Sequence, residues 1–181
     1  MPWKNGGGET AEIAVSPEGA ALDAFDWRIS MARVDGDGPF SRFADVDRTL
    51  LVLDGAGMVL RVAGQEPVTL TSESAPYAFP ADRDTSATLL GGPIVDFNVM
   101  THRGRIAQHV RRAALTGPLV QGGDGLATLV FCVDGHVGVR SATADSRLGA
   151  RDAVLLEAPD GSTRLDAAPS ATVIVVELSA R

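Results

Sequence analysis

The residue types that most often bind metals or act as nucleophiles are scarce in this chain of 181 residues. It contains one cysteine, Cys132, and three histidines, His102, His109 and His136. A three-histidine metal site would need scattered positions with no recognisable spacing. One cysteine supports neither an intrachain disulfide nor a Cys-x-x-Cys zinc site. We therefore expect a protein that works without a metal or another cofactor.

The single cysteine lies in an apolar run, residues 128–133, which predicts a small buried side chain. Apolar surroundings raise the pKa of a thiol and keep it unreactive, so Cys132 is not expected to be a nucleophile. Glycine-rich phosphate-binding motifs and the GxSxG motif of hydrolases are also missing from the sequence. The scarcity of cysteine fits a reducing compartment, and we expect a cytoplasmic protein.

Arginine recurs beside predicted strand ends and turns, at Arg28, Arg48, Arg61 and Arg103. A guanidinium on a strand is stabilised when it meets a carboxylate in a bidentate pair. That carboxylate can belong to the protein or to a ligand, and the sequence leaves both open. The basic segment 102–112 is likewise either a solvated polar face or a rim that attracts anions.

The charge balance limits the class of partner. The chain has 16 Lys and Arg residues against 23 Asp and Glu, a formal net charge of -7. Nucleic-acid-binding proteins need a basic surface that releases counterions, so we expect no nucleic-acid partner. No apolar stretch approaches the roughly 20 residues that cross a bilayer, and no secretion signal is recognisable, so we expect no membrane association.

The elements that position these side chains are predicted to be short β-strands separated by Gly, Pro, Asp and Ser clusters. Asp-Gly pairs between apolar runs, such as Asp54-Gly55 and Asp134-Gly135, favour hairpin turns. Residues 16–24 have a helical pattern, and residues 103–115 fit a helix or a strand, of which we favour the strand. The remaining predicted strands are residues 12–15, 27–34, 48–53, 58–62, 68–70, 87–90, 94–100, 126–133, 137–140, 153–156 and 172–178.

An internal repeat divides the chain. Residues 49–55 resemble residues 128–135, and residues 84–89 resemble residues 160–165, at a spacing of about 76 to 80 residues. In each copy a further apolar strand follows. The repeat predicts two β units of similar strand order, and antiparallel units of this kind close into barrels or double sheets that hold small ligands.

Five motifs in order carry a family resemblance: MPWKNGGGET at 1–10, FDWRIS at 25–30, DGPFS at 37–41, VDR at 46–48 and GPIVDFNVM at 92–100. Together they resemble the HutD/Ves family of the cupin superfamily. The resemblance implies an all-β fold with two double-stranded β-helix (cupin) barrels, a bicupin. We expect the first barrel in residues 1–115 and a second, degenerate barrel in residues 116–181, packed as one compact unit. Metal-dependent cupins use an HxH pair, and residues 1–101 contain no histidine.

The resemblance also implies a function. Members of the family are often encoded with histidine-utilisation genes and are not established enzymes. They are thought to bind a small ligand such as a formylated glutamate intermediate and so to modulate that pathway. We therefore expect a non-enzymatic, metal-independent protein that binds a small anionic metabolite, formylglutamate or a related histidine-breakdown intermediate. A stress-related role stays open.

The family motifs supply the expected binding residues. Arg48, at the start of a core strand, is the leading candidate for binding a ligand carboxylate. Arg28 and Lys4 would add positive charge, and Asn5 and Asn98 carry donor and acceptor groups suited to a formamide or amide. Apolar walls are expected from Trp3, Trp27, Phe40, Phe97 and Met100. Alternatively, the motifs only fix turns and the packing between barrels.

Two other functions stay open. One is a metal-free cupin enzyme, an isomerase or hydrolase of a small carboxylated substrate, with His102 or Asp96 as acid or base. The other is a structural dimerisation module. Family sequences usually carry a strand-forming stretch before the MPWKNGGG motif, which here starts at Met1. An exposed barrel edge would favour a homodimer.

Overall fold

Every regular element of the described residues is a β-strand. The computed structural model describes residues 3, 7–122, 125–142, 145–157 and 161–181, without the side chain of Ala168. The all-β class is therefore confirmed. No helix in this part of the chain is long and apolar enough to cross a membrane. Contacts divide the chain into two compact units, Met1–Arg105 and Ile106–Arg181.

The first unit contains two antiparallel sheets. One has the order β1-β2-β9-β4-β7 and the other β3-β8-β5-β6. The strands are β1 (Gly8–Ser16), β2 (Trp27–Val34), β3 (Gly38–Pro39), β4 (Val46–Asp54), β5 (Met58–Val62), β6 (Val68–Leu70), β7 (Tyr77–Pro80), β8 (Thr85–Leu89) and β9 (Ile94–His102). Apolar side chains from both sheets form one core, which includes Leu50, Val52, Met58, Leu60 and Val62.

The second unit repeats this strand order with longer strands. Its strands are β10 (Ile106–Leu115), β11 (Leu119–Gln121), β12 (Ala127–Arg140), β13 (Asp145–Leu148), β14 (Ala153–Glu157) and β15 (Thr163–Ala180). The order β10-β15-β12-β14 corresponds to β2-β9-β4-β7, and β11-β15-β12-β13 corresponds to β3-β8-β5-β6. Thus β12 and β15 each take the place of two strands of the first unit. The sequence repeat predicts the similar strand order, but the sequence pattern predicts separate strands at residues 126–133 and 137–140.

The Asp-Gly pairs of the repeat do not form the hairpins that the sequence favours. Strand β4 ends at Asp54 in one sheet and β5 belongs to the other sheet, while β12 continues through Gly135. Gly55 and Gly135 have φ values of 92° and 82°. A Cβ would lie 2.7 Å from the Pro93 oxygen at Gly55 and 2.5 Å from the Ser170 oxygen at Gly135. Each glycine bends the chain tightly against the neighbouring strand instead of reversing it.

Most predicted strands are present, usually extended by a few residues. Residues 106–115 form β10, a strand rather than a helix, and residues 16–24 form no helix. Strand β10 pairs with β15 and so belongs to the second unit, whereas the sequence pattern grouped it with the first. The strands not predicted are β3, β7, β11, β13 and the first part of β15, which are short or polar.

The second unit has its own apolar core, which includes Val130, Val137, Val173, Val175 and the cysteine. Cys132 is fully buried, and burial raises the pKa of its thiol. The Sγ atom donates to the backbone oxygens of Asp134 and Gly135, at 3.5 and 3.6 Å. The side chain is therefore the small buried group that the apolar run predicts.

Candidate functional site

One face of the five-stranded sheet carries polar side chains into the interior of the first unit. Arg28 of β2 and Arg48 of β4 both pair with Met100 of β9. Asn98 and Asp96 precede Met100 at two-residue intervals, so the three side chains of β9 project to the same side of the sheet. The register therefore gathers residues from three strands on one inner face.

The guanidinium of Arg48 is held from two directions. Its Nε donates a hydrogen bond to Oδ1 of Asn98, at 2.9 Å. Its Cζ lies 4.7 Å from the centroid of the Phe40 ring, in a cation–π contact. Phe40 in turn packs edge-on against Phe79, with ring centroids 6.4 Å apart, and Phe79 contacts Tyr77 with centroids 6.1 Å apart. Among the described residues, neither terminal nitrogen of Arg48 has a hydrogen-bond partner, so both can donate to a ligand carboxylate.

Asn98 connects Arg48 to a buried carboxylate. Its Nδ2 donates to Oδ1 of Asp96, at 2.6 Å, and Asp96 also accepts a bond from the backbone of Ala32. Asp96 and Asn98 are each only 1% exposed. An ionised carboxylate only accepts hydrogen bonds, so the amide nitrogen must face Asp96 and the amide oxygen must face Arg48. The three residues form an ordered chain, Asp96–Asn98–Arg48.

Burial shifts the pKa values at both ends of this chain. Desolvation raises the pKa of Asp96 to about 6, although the charge of Arg48 and the Asn98 hydrogen bond oppose the rise. Desolvation also lowers the pKa of Arg48 to about 10, against the attraction of Asp96 and with a small contribution from Arg28. At neutral pH the interior thus holds a positive and a negative group separated by one amide.

Arg28 is neutralised within the protein. Its Nε lies 2.8 Å from Oε2 of Glu12, and the arginine side chain is 8% exposed. This is the internal carboxylate pairing that the sequence left open for its arginines. Arg103 has the same character, with Asp47 at 2.7 Å and Asp82 at 3.0 Å, and both pairs raise the pKa of the arginine. Arg48 has no such carboxylate in contact among the described residues.

Trp3 lies on the same side of the sheet as Arg48. It packs against the interior core of the first unit, and its Nε1 donates to Oγ1 of Thr10, at 2.8 Å. Thr10 pairs with Ala32, the residue opposite Asp96, so the indole covers that end of the inner face. Lys4 and Asn5 lie outside the described residues.

Trp27 and Phe97 lie on the opposite face of the sheet, contrary to the expectation that they line the same pocket as Arg48. Trp27 precedes Arg28, and Phe97 stands between Asp96 and Asn98, so strand alternation turns both away. They are 6% and 0% exposed and stabilise the sheet from its other side. Met100 does lie on the Arg48 face, where it packs with a small apolar cluster that includes Phe25 and Val46.

Sequence reasoning missed two groups on the inner face. Glu12 is the partner of Arg28, and Tyr77 pairs with Leu50, which itself pairs with Asn98. The Tyr77 hydroxyl donates to Oε1 of Gln65, at 2.7 Å. The two-residue spacing of Asp96 and Asn98 on β9 already indicates that their side chains lie on one face. Glu12 and Tyr77, in contrast, can be recognised only once the pairing register of the strands is known.

A surface groove of about 620 Å³ adjoins this site, and Phe40 forms part of its wall. The groove also contains Arg42 and Arg61. Arg42 bonds to Asp84 at 3.1 Å, and Arg61 donates to Thr88 at 3.1 Å. Phe40 therefore contacts the half-buried Arg48 and also lines this open, polar groove.

The histidines are dispersed. His102 ends β9, and its buried Nδ1 has no hydrogen-bond partner among the described residues. His109 lies 3.0 Å from Glu177 in the second unit, and His136 is exposed. Within the described ranges, no three His, Cys, Asp or Glu side chains lie close enough together to bind a metal ion.

Paired antiparallel sheets with a polar interior face are the architecture of cupin proteins. The chain superposes on a cupin 2 conserved barrel domain protein from Leptotrichia buccalis with a TM-score of 0.63, covering 95% of this chain and 89% of that chain. The sequence identity is 11%, so this likeness shows the fold alone. The protein has a cupin-like fold.

The family model named HutD matches residues 1–175, and the chain belongs to the HutD family. It is 39% identical over 161 residues to an uncharacterised 21.2 kDa protein in the hutC 3' region of Pseudomonas putida, covering 88% of this chain and 83% of the relative. It is 36% identical over 146 residues to protein Ves of Citrobacter koseri, covering 79% and 73%.

Two solved structures are similar along nearly the whole chain. A conserved protein of unknown function from Pseudomonas aeruginosa has a TM-score of 0.91 at 37% identity, covering 99% of this chain and 93% of that chain. HutD from Pseudomonas fluorescens, described in a formate condition, has a TM-score of 0.83 at 35% identity, covering 100% and 93%.

Proposed function

We propose that this protein is a non-enzymatic, metal-independent bicupin that binds a small carboxylate metabolite at Arg48 and thereby modulates histidine utilisation. The observation that carries the proposal is the state of Arg48. Its guanidinium is oriented by Asn98 and Phe40, and its terminal nitrogens are unpaired among the described residues. A partly desolvated arginine in this state is stabilised by a carboxylate ligand.

The names of relatives support the pathway in this proposal. The Pseudomonas putida relative is named for its position in the hutC 3' region, and the Pseudomonas fluorescens relative is named HutD. We propose formylglutamate or a related histidine-breakdown intermediate as the ligand. Formylglutamate carries carboxylates for Arg48, and Phe40, Trp3 and Tyr77 supply apolar surface for its carbon chain.

The two-barrel description is also part of the proposal. Its support is the repeated strand order, in which two long strands of the second unit replace four strands of the first. In the bicupin that we propose, the first barrel holds the ligand site and the second has a different interior. Strand β10 would then be the first strand of the second barrel, because it pairs with β15.

The sequence suggested that Asn98 would bind a formamide or amide group of the ligand, and the proposal gives it a different role. Its oxygen accepts from Arg48 and its nitrogen donates to Asp96, so two of its hydrogen-bonding groups are already used. We propose that Asn98 orients Arg48 and that the arginine makes the main polar contact with the ligand.

A ligand screen tests the proposal. Formylglutamate, urocanate, glutamate, formate and histidine are added separately to the wild type, to Arg48→Met and to Arg61→Met, and thermal midpoints are measured. A ligand at about 100 times its Kd adds about 2.7 kcal/mol, which raises the midpoint by roughly 5 to 10 °C in a chain of this size. The wild type and Arg61→Met should show this rise, and Arg48→Met should not.

Arg61→Met is a matched control because Arg61 lines the surface groove rather than the interior. If Arg61→Met loses the response and Arg48→Met keeps it, the ligand binds the groove and the Arg48 site is refuted. Equal stabilisation of all three proteins would also refute the role of Arg48.

A metal-free isomerase or hydrolase is the second candidate. Asp96 favours it, because a pKa of about 6 suits a general acid or base near neutral pH. Turnover of any of the five compounds by the wild type, lost in Asp96→Asn, would establish this activity in place of simple binding.

A further inference from the structure

We propose that Asp96 is the positioning residue of the Arg48 site and that a carboxylate binds there together with one proton, which Asp96 takes up from solvent. The inference rests on the proposed carboxylate site. The inference adds a way in which that site is regulated. The affinity for the ligand carboxylate depends on pH through Asp96, which does not touch the ligand.

The positioning follows from hydrogen-bond directions. Asp96 accepts from Nδ2 of Asn98, which turns Oδ1 of the amide towards Nε of Arg48. If Asp96 were absent, the Asn98 amide could turn its NH2 group towards the guanidinium, and two donors would face each other. Asp96 therefore fixes Arg48 through one intermediate residue.

Proton uptake follows from the charges on the inner face. Among the described residues, the Arg28 and Glu12 charges cancel, which leaves Arg48 and Asp96 as one positive and one negative group. A carboxylate bound to Arg48 adds a second negative charge to this interior, and a buried unpaired charge is costly. A proton from solvent on one Asp96 carboxylate oxygen restores neutrality, and no other bond forms or breaks.

The groups packed against Asp96 leave few alternatives for this proton. The four-stranded sheet faces it with apolar side chains, among them Met58, Leu60, Val62 and Leu70. From the five-stranded sheet the inner face adds Arg28 and Glu12 as an ion pair, Tyr77 with its hydroxyl bonded to Gln65, and His102 at the far end of β9. In the part of this face that the structure describes, Asp96 is the buried carboxylate with no arginine in contact.

The pKa of Asp96 supports this coupling. It is already raised to about 6 by burial, and the attraction of Arg48 is the largest effect that holds it down. A ligand carboxylate that neutralises Arg48 removes this effect, so we infer that the pKa of Asp96 rises past 7 in the complex. At pH 7 Asp96 is mostly ionised before binding and becomes protonated on binding, and the affinity falls as pH increases.

Calorimetry with formate and with formylglutamate tests the coupling. Their carboxyl groups stay ionised between pH 6.5 and 8, since such groups titrate near pH 4. In buffers of different ionisation enthalpy at pH 7, the wild type should take up close to one proton per ligand. Its Kd should rise by up to about tenfold per pH unit over this range.

Two variants separate the proton from the binding itself. Asp96→Asn should still bind, with no proton uptake and a Kd that does not change between pH 6.5 and 8. Asp82→Asn, which removes a carboxylate that pairs with Arg103 elsewhere in the unit, should behave as the wild type. Binding by the wild type without proton uptake, or an unchanged pH profile in Asp96→Asn, would overturn the inference.

A ligand-free measurement distinguishes this inference from the proposed function. In NMR spectra, the Nε–H signal of Arg48 and the side-chain amide of Asn98 should titrate with a midpoint near 6 in the wild type. If neither compound binds but these signals titrate, the carboxylate function fails and the positioning chain stands. If the signals do not move between pH 5 and 8, the chain from Asp96 to Arg48 is refuted whatever the protein binds.

Discussion

The two units share a strand order and differ in what their inner faces hold. In the first unit, Asn98 pairs with residues of β2 and β4 and joins Arg48 to buried Asp96. In the second unit, Glu177 pairs with residues of the corresponding strands β10 and β12. With Gly55 and Gly135 as equivalent positions, the residues that correspond to Asp96 and Asn98 are Val173 and Val175, which are both fully buried, and Glu177 corresponds to Met100.

The second unit places its polar chain nearer to solvent. Glu177 accepts from Gln121 at 2.6 Å and contacts His109 at 3.0 Å, while Gln121 also accepts a bond from Arg111. The side chains of Glu177 and His109 are 34% and 70% exposed. The same backbone therefore supports either a buried charged chain or an apolar interior with polar residues near solvent, and a few side chains on paired strands decide which.

The largest effect is expected where the two units are alike. Gly55→Ala and Gly135→Ala should each destabilise the protein by about 4 kcal/mol, because a side chain at positive φ is strained and the added Cβ collides with a backbone oxygen. Urea denaturation measures both losses. Gly92→Ala is the control, since Gly92 has a φ of 79° and nothing within 4 Å of a Cβ, and it should cost about 1 kcal/mol. A large loss of stability at only one of Gly55 and Gly135 would contradict the structural equivalence of the two units.

The next effect concerns the pH dependence of stability, for which one carboxylate in each unit should act with opposite sign. The pKa of Asp96 is raised from 3.8 to about 6, so the folded state binds a proton that the unfolded state has lost between these values. Stability therefore falls as pH rises from about 4 to 6. Relative to Asp96→Asn, the wild type should lose about 3 kcal/mol between pH 4 and 7 in urea denaturation.

Asp166 in the second unit is the matched comparison. Its hydrogen bond to Arg164 lowers its pKa, so the ionised form is favoured in the folded state. Relative to Asp166→Asn, the wild type should gain stability as pH rises through the acidic range, the opposite sign to Asp96. Two difference curves with the same sign would show that Asp96 is not the desolvated carboxylate described above.

A smaller effect tests the ring on Arg48. Phe40→Leu removes the cation–π contact, worth about 1 kcal/mol, and should weaken formylglutamate binding about fivefold in calorimetry. Phe43→Leu is the control, because Phe43 packs on Phe25 in a separate apolar cluster. Equal affinity losses in the two variants would indicate a general packing defect instead of a contact to the arginine.

The sequence predicted the fold better than the site. Strong strands with β-branched residues and the repeat identified the all-β class and the paired units. The family motifs contain Arg48 and Asn98, which lie on one face of the sheet, whereas Trp27 and Phe97 face the other way because each is one residue out of phase with them. Glu12 became visible as the partner of Arg28 only with the register, since a salt bridge across strands leaves no local spacing in the chain.

The smallest effect is expected for the polar chain of the second unit. Glu177→Gln keeps the shape of the side chain and removes its charge, and its pair with His109 is largely exposed. Exposed pairs contribute at most about 1 kcal/mol, so urea denaturation should show a loss below that value, and added salt should reduce it further. Binding of formylglutamate should not change. A loss above about 2 kcal/mol that salt does not reduce would mean that the second unit also relies on a buried charge, and the contrast between the two interiors would then fail.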